Sequence, residues 1–143
     1  SVTRIGECAF SHCTSLTSVT IGNNVTSIGG SAFWYCTSLT SVTIPDGVTS
    51  INSGAFYNCS LLTSVTIGNG VTSIGDSAFS NCTSLKTVYY KGTAADWEKI
   101  IIGNYNSSIT NIKRYYYSES KPTGSGNYWH YVDGKPTVWP SDE

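Results

Sequence analysis

The chain has 143 residues, a formal net charge of -1 and only 12% charged residues, which leaves no basic field for a nucleic-acid backbone. Ser and Thr fill 40 of the 143 positions, and neutral hydroxyls of this kind disfavour acid–base catalysis near pH 7. No apolar run approaches the roughly 20 residues that span a bilayer, and no charged n-region precedes an apolar h-region, so membrane insertion is not expected.

From the first residues onward the chain repeats with a period of 23. Val2, Val25, Val48 and Val71 open four copies, followed by Ile5, Ile28, Ile51 and Ile74. Ala9, Ala32, Ala55 and Ala78 come next, each beside Phe10, Phe33, Phe56 or Phe79. Cys13, Cys36, Cys59 and Cys82 then lead to Leu16, Leu39, Leu62 and Leu85, and to Val19, Val42, Val65 and Val88. Ile21, Ile44 and Ile67 close three copies, and Tyr90 closes the fourth. The alternating, β-branched segment Leu16 to Ile21 predicts a half-buried strand. Val25 to Ile28 predicts a second extended piece after a Gly/Asn turn, and Ala32, Phe33 and Cys36 have the spacing of one helical turn. A single copy holds too few apolar side chains to offset the entropy of ordering its backbone. Copies must therefore stack in register, at a step of about 4.8 Å, into a short solenoid.

Leu16-x-x-Val19-x-Ile21 fits the strand signature of leucine-rich repeats. The runs SLTSVTI, VTSIG and AF-x-x-C, over residues 2 to about 92, resemble more closely the BspA-like leucine-rich repeats of bacterial surface proteins. The resemblance implies a right-handed α/β-repeat solenoid of four coils, starting at residues 2, 25, 48 and 71 within a 1–92 unit. It also implies a non-enzymatic, cell-surface or secreted module for adhesion to host or matrix proteins. The chain departs from ordinary leucine-rich repeats after the strand, where Asn24, Gly47 and Gly70 occupy the place of the usual Asn or Cys ladder.

Little in the repeats points to chemistry. Four cysteines in a row cannot converge on one zinc ion, and their step is too long for disulfides, so they read as small buried thiols beside Phe. Cys8 is left over, free or paired with Cys13. His12 and His130 have no recurring carboxylate and Ser partners, and no phosphate-loop, zinc-protease or C-x-x-C motif occurs, so neither catalytic residues nor a cofactor nor a metal is expected. Asn24, Asn58, Asn81 and Asn106 form N-x-Ser/Thr sequons that arise readily in such a composition.

The candidate binding face is the outward side of the strands. Ser18, Ser41, Ser64 and Thr87 form one row and Thr20, Thr43, Thr66 and Tyr89 another, a hydroxyl ladder that either simply stabilises the sheet or binds protein or glycan. After Leu85 the composition changes: 13 of the 17 charged residues and eight of the ten tyrosines follow. Thr93 to Asp96 reads as a capping box, with Trp97, Ile100 and Ile101 on one stripe, so residues 93–114 are expected to cap the apolar stack. Residues 115–143 read as an aromatic tail with a β-hairpin at Asp133-Gly134 and an edge strand at Pro136. Tyr115, Tyr117, Trp129, Tyr131 and Trp139 either pack on the cap or form a sugar-stacking platform, which makes a carbohydrate-binding module the alternative function and a structural spacer the third. The start at Ser1 inside a repeat reads as an excised or processed piece with further copies before it. The bare edge of Val2, Ile5 and Phe10 predicts either end-to-end self-association or a masked edge.

Overall fold

A computed structural model describes residues 1–140 and shows the stack directly. Phe10, Phe33, Phe56 and Phe79 form one column, with centroids 5.2, 5.1 and 5.2 Å apart and rings within 11° of parallel. Homologous positions therefore lie over one another at the spacing of paired strands. The inward Ile, Val, Leu and Cys columns join the phenylalanines in one continuous core from Ile21 to Ile109.

The coils build two sheets whose inter-coil pairings are all parallel. The short strands β1 (Arg4–Ile5), β2 (Ser27–Ile28), β4 (Ser50–Ile51), β6 (Ser73–Ile74) and β8 (Ile101–Ile102) form the first, in that order. The second is six-stranded and carries β3 (Ser41–Ile44), β5 (Ser64–Ile67), β7 (Thr87–Tyr90), β9 (Lys113–Tyr117), β10 (Tyr128–Val132) and β11 (Lys135–Val138), with β3 and β11 at its edges. The register is the repeat itself: Val42 pairs with Val65, and Val65 with Val88.

The third side of each coil corrects the expected helical turn. No helix forms at the AF-x-x-C segments. Successive turns there place Cys8, Ser31, Gly54 and Ser77, and again His12, Tyr35, Asn58 and Asn81, at positive φ. Their ladder bonds run between coils, as from Phe33 N–H to the Ala55 carbonyl and from Phe56 N–H to the Ala78 carbonyl, both at 2.7 Å. The reason is steric. An α-helix is about 10–12 Å across, whereas strands stack at about 4.8 Å, so neighbouring coils in this stack cannot each hold one.

A second correction concerns the first coil. Residues 16–21 form no strand, although their sequence matches that of β3 and β5. In later coils the rung after the strand is closed by Gly68 N–H to the Ile44 carbonyl at 2.8 Å and by Lys91 N–H to the Ile67 carbonyl at 2.9 Å. Pro45 stands in the equivalent place and has no N–H to give Ile21. The first coil touches this ladder only through Thr40, whose N–H reaches the Thr17 carbonyl at 3.3 Å.

A fifth coil follows the four that the period announces. The helix α1 (Ala94–Glu98) begins at the expected capping box, where Thr93 and Asp96 exchange hydrogen bonds. Its Trp97 is buried and meets Tyr90 edge-on at 5.2 Å. The coil then adds β8 and the short helix α2 (Ser107–Thr110) before β9, which runs across the expected boundary between cap and tail. Asn106 ends the turn ladder: its Oδ1 accepts from Phe79 N–H at 3.0 Å, in place of the alanine carbonyl that serves the earlier coils. Its Nδ2 donates to the carbonyls of Gly75 and Gly103. Arg114 takes Val88's register position and lays its guanidinium 4.4 Å over the Trp97 ring.

Candidate functional site

The outward rows of the six-stranded sheet are where the repeat puts them, but they are not uniformly open. Ser18, Thr20, Ser41 and Thr43 are exposed, Ser64, Thr87 and Tyr89 are half-buried, and Thr66 is only 5% exposed. The tail accounts for Thr66 and Tyr89. After pairing with β9, β10 brings Trp129 against Tyr89 at 5.5 Å and Tyr131 to the groove that Thr43 and Thr66 line. The uncovered hydroxyl face is thus confined to the first two coils.

The same packing decides where the tail aromatics go. Trp129 is fully buried, its indole N–H donates to the Tyr90 carbonyl at 2.8 Å, and Tyr117 and Tyr131 meet its ring edge-on. Trp139 stacks on His130 at 3.7 Å and donates to the Ser118 carbonyl. Tyr115 is half-buried, stacked on Tyr89 and facing Lys113. Of the five aromatics named from the sequence, Tyr117, Trp129 and Tyr131 pack together with Tyr131 at the rim, Tyr115 joins them through Tyr89, and Trp139 lies apart on His130; Trp129 offers no free ring face. The hairpin itself forms at Asp133 and Gly134, with φ of 50° and 75°, the two positive values that a type I′ turn needs. Residues 141–143 of the expected tail lie outside the described residues.

Between the covered and the open halves lies a groove of about 320 Å³. Val19, Thr20 and Ile21 form one side and Thr43, Ile44 and Pro45 the other, with Asp46, Thr66, Lys91 and Tyr131 around them. Lys91 Nζ donates to Asp46 Oδ2 at 3.0 Å and lies 5.9 Å from the centroids of both Tyr117 and Tyr131. The other Asp46 oxygen accepts from Asn69 N–H at 3.0 Å. The hydrogen bond that Lys91 donates to Asp46 raises the ammonium's pKa above the ordinary lysine value, against the opposing effect of burial.

The cysteines pack as a column. Cys36, Cys59 and Cys82 are buried and donate to the carbonyls of Phe10, Phe33 and Phe56 at 3.2, 3.3 and 3.1 Å. Burial pushes all three thiols up, Cys82 to about 12. Cys8 is exposed and Cys13 half-buried, and both are free thiols. Cys8 stands at the positive-φ turn position that Ser31, Gly54 and Ser77 occupy in later coils. Among the sequons Asn106 is buried in its capping role and Asn81 donates to the Tyr57 hydroxyl.

One feature escapes the sequence reading. Trp34 stacks on Tyr57 at 4.1 Å and Tyr35 on His12 at 5.2 Å, forming an aromatic ladder along the turn side. The two variable positions of AF-x-x-C carry it, and their filling by Trp34-Tyr35 in one copy and Tyr57 in the next was the available signal. At the amino-terminal coil Val2 is 69% and Phe10 40% exposed.

Comparison with known proteins matches residues 1–107 to the family described as BspA type leucine rich repeat region (6 copies). A leucine rich cell surface protein of Faecalibacterium prausnitzii is 36% identical with a TM-score of 0.56, over 70% of this chain and 32% of that one. A leucine-rich repeat protein of Bacteroides ovatus is 28% identical with a TM-score of 0.64, over 80% and 28% respectively. The leucine rich repeat protein of T. pallidum, at 24% identity and a TM-score of 0.51 over 81% and 67%, shares the fold. Among curated proteins no match was found. The chain spans about a third of the length of the first two structures, and no helix among the described residues is long and apolar enough to cross a membrane. With three quarters of its length matched, the chain belongs to the BspA-type leucine-rich repeat family.

Proposed function

We propose that the chain is a non-enzymatic interaction segment of a cell-surface or secreted protein. It docks a partner protein, such as a host or matrix protein, through Ser18, Thr20, Ser41 and Thr43. The observation that supports this reading is the confinement of the exposed hydroxyls of these two rows to two coils, next to a groove, while the tail packs over Thr66 and Tyr89 of the same face. A face needed only for sheet solubility has no reason to be divided in this way. Solenoid surfaces bind through extended shape complementarity, and the β-branched Thr20 and Thr43 lose little side-chain entropy on contact. The family and the naming of a relative as a cell surface protein support the location.

Surface plasmon resonance of the chain over immobilised extracellular-matrix proteins tests the proposal. Saturable binding to at least one is expected, lost in the Thr20→Lys/Thr43→Lys double variant and kept in Thr72→Lys, which alters the other side of the solenoid. Equal loss in both variants, or binding to none, overturns it.

A further inference from the structure

We propose that the groove between the first coil and β3 is a binding site for a neutral saccharide unit. The inference rests on the strand face being the working surface, and it adds a ligand class to that face. The groove exists because of one residue. In a parallel ladder a residue turns its backbone N–H and C=O to the same neighbour, and alternate residues turn to opposite sides. Ile44 gives its carbonyl to Gly68 of the following coil, so Thr43 turns both of its backbone groups toward the first coil. There Val19 and Ile21 should answer them. The rung that would fasten Ile21 is missing because Pro45 has no N–H, and no backbone bond joins residues 18–22 to residues 41–45 among the described residues. What is left is a slot bordered by unpaired peptide donors and acceptors of β3 and of the first coil's extended segment.

Its two ends are shut. The Thr40–Thr17 bond closes one, and at the other a Cβ added to Gly47 would lie 3.1 Å from the Asn23 carbonyl oxygen. An extended peptide cannot run through a slot closed in this way, which excludes strand addition. A lone anion or cation is disfavoured too, because both Asp46 oxygens are engaged and Lys91 is neutralised by one of them. The remaining chemistry is neutral and two-sided: the Thr43 peptide, the hydroxyls of Thr20, Thr43 and Thr66, and the Tyr131 ring at the rim. Groups that both donate and accept, beside an aromatic wall, match the vicinal hydroxyls and C–H faces of a sugar ring. The volume of about 320 Å³ sits at the lower end for small-ligand sites, enough for one end of a glycan.

The test is titration of the ¹⁵N-labelled chain with lactose, cellobiose, mannobiose and chitobiose, followed through amide shifts. Saturable shifts with at least one of them are expected, centred on Thr20, Thr43, Thr66 and Lys91. Thr43→Val, which keeps the β-branched shape, should weaken binding roughly tenfold, the loss of a hydrogen bond worth about 1.4 kcal/mol. Tyr131→Ala should weaken it similarly, and Trp34→Ala, on the turn side, should leave it unchanged. Circular dichroism of each variant establishes that the fold is retained. Absence of shifts with all four sugars, shifts centred on Trp34 and Tyr57 or on Trp139, or full binding by Thr43→Val overturns the inference. Protein docking that persists in the resonance assay while all sugars fail leaves the proposed function standing and removes this inference alone.

Discussion

Replacing Phe56 by Ala removes the middle of the aromatic column, and the structure gives the cost. The ring is fully buried and stacked on both sides, 5.1 Å from Phe33 and 5.2 Å from Phe79. Buried Phe→Ala changes cost about 3–5 kcal/mol, and each aromatic pair contributes about 0.5–1.5 kcal/mol beyond burial, which places this one near 5 kcal/mol. Phe10 occupies the same repeat position but is 40% exposed with one stacked neighbour, so Phe10→Ala should cost only about 2 kcal/mol. Urea unfolding followed by circular dichroism measures both through the midpoint at constant m-value. Double-mutant cycles sharpen the test. Leu substitutions at Phe33 and Phe56 should couple by about 0.5–1.5 kcal/mol, whereas those at Phe33 and Phe79, with Phe56 between them, should add independently. Equal costs at Phe10 and Phe56, or equal coupling in the two cycles, would refute the ordered column and leave an unordered apolar core in its place.

Gly70→Ala drives a methyl into the Asp46 carbonyl and should cost about 1–3 kcal/mol in the same urea assay, an effect absent from Gly22→Ala, where open space awaits the Cβ. In Pro45→Ala the new amide at residue 45 should be protected from hydrogen exchange as it bonds Ile21; exchange at the solvent rate would show that the proline is not what keeps the first coil apart. Asn106→Ala strands the Phe79 N–H and two carbonyls and should lower stability by about 2 kcal/mol; a change under about 0.5 kcal/mol would count against its capping role. The buried thiols set an alkaline limit. A folded pKa above the unfolded value gives a contribution present below the unfolded pKa and lost as pH rises through the folded one. Cys82, moved from 9.0 to about 12, should therefore cost the fold about 1.4 kcal/mol by pH 10, and Cys82→Ala should flatten that decline in pH-dependent melting.

How far the sequence carries can be judged residue by residue. The 23-residue period fixes the register, because a stack in which Val42 meets Val65 buries every apolar column at once. The capping box at Thr93 and the hairpin at Asp133-Gly134 are equally readable, since each rests on local backbone demands. The turn ladder is harder to see. Ala32, Phe33 and Cys36 satisfy helical spacing, and only the inter-coil step forbids the helix. The fifth coil is hidden for another reason: Ile102 and Gly103 take the places of Ile74 and Gly75 but fall outside the 23-residue period, while Arg114 and Asn106 do the work of Val88 and an alanine carbonyl by different chemistry. In the site, alternation gives the outward rows correctly. It cannot show that Trp129 folds back over Tyr89, or that Pro45 costs a rung two coils away from any unusual composition.

A stack of like rungs is by nature a self-templating object, since its last open edge displays the pattern that the next identical chain could copy into a fibre. Here the reversal of direction between β10 and β11 interrupts that pattern, and Pro136 removes a donor from the outermost strand. A newcomer running parallel to the coils finds no matching partner there, so this face of the molecule is refractory to the uncontrolled polymerisation that its own architecture would otherwise invite.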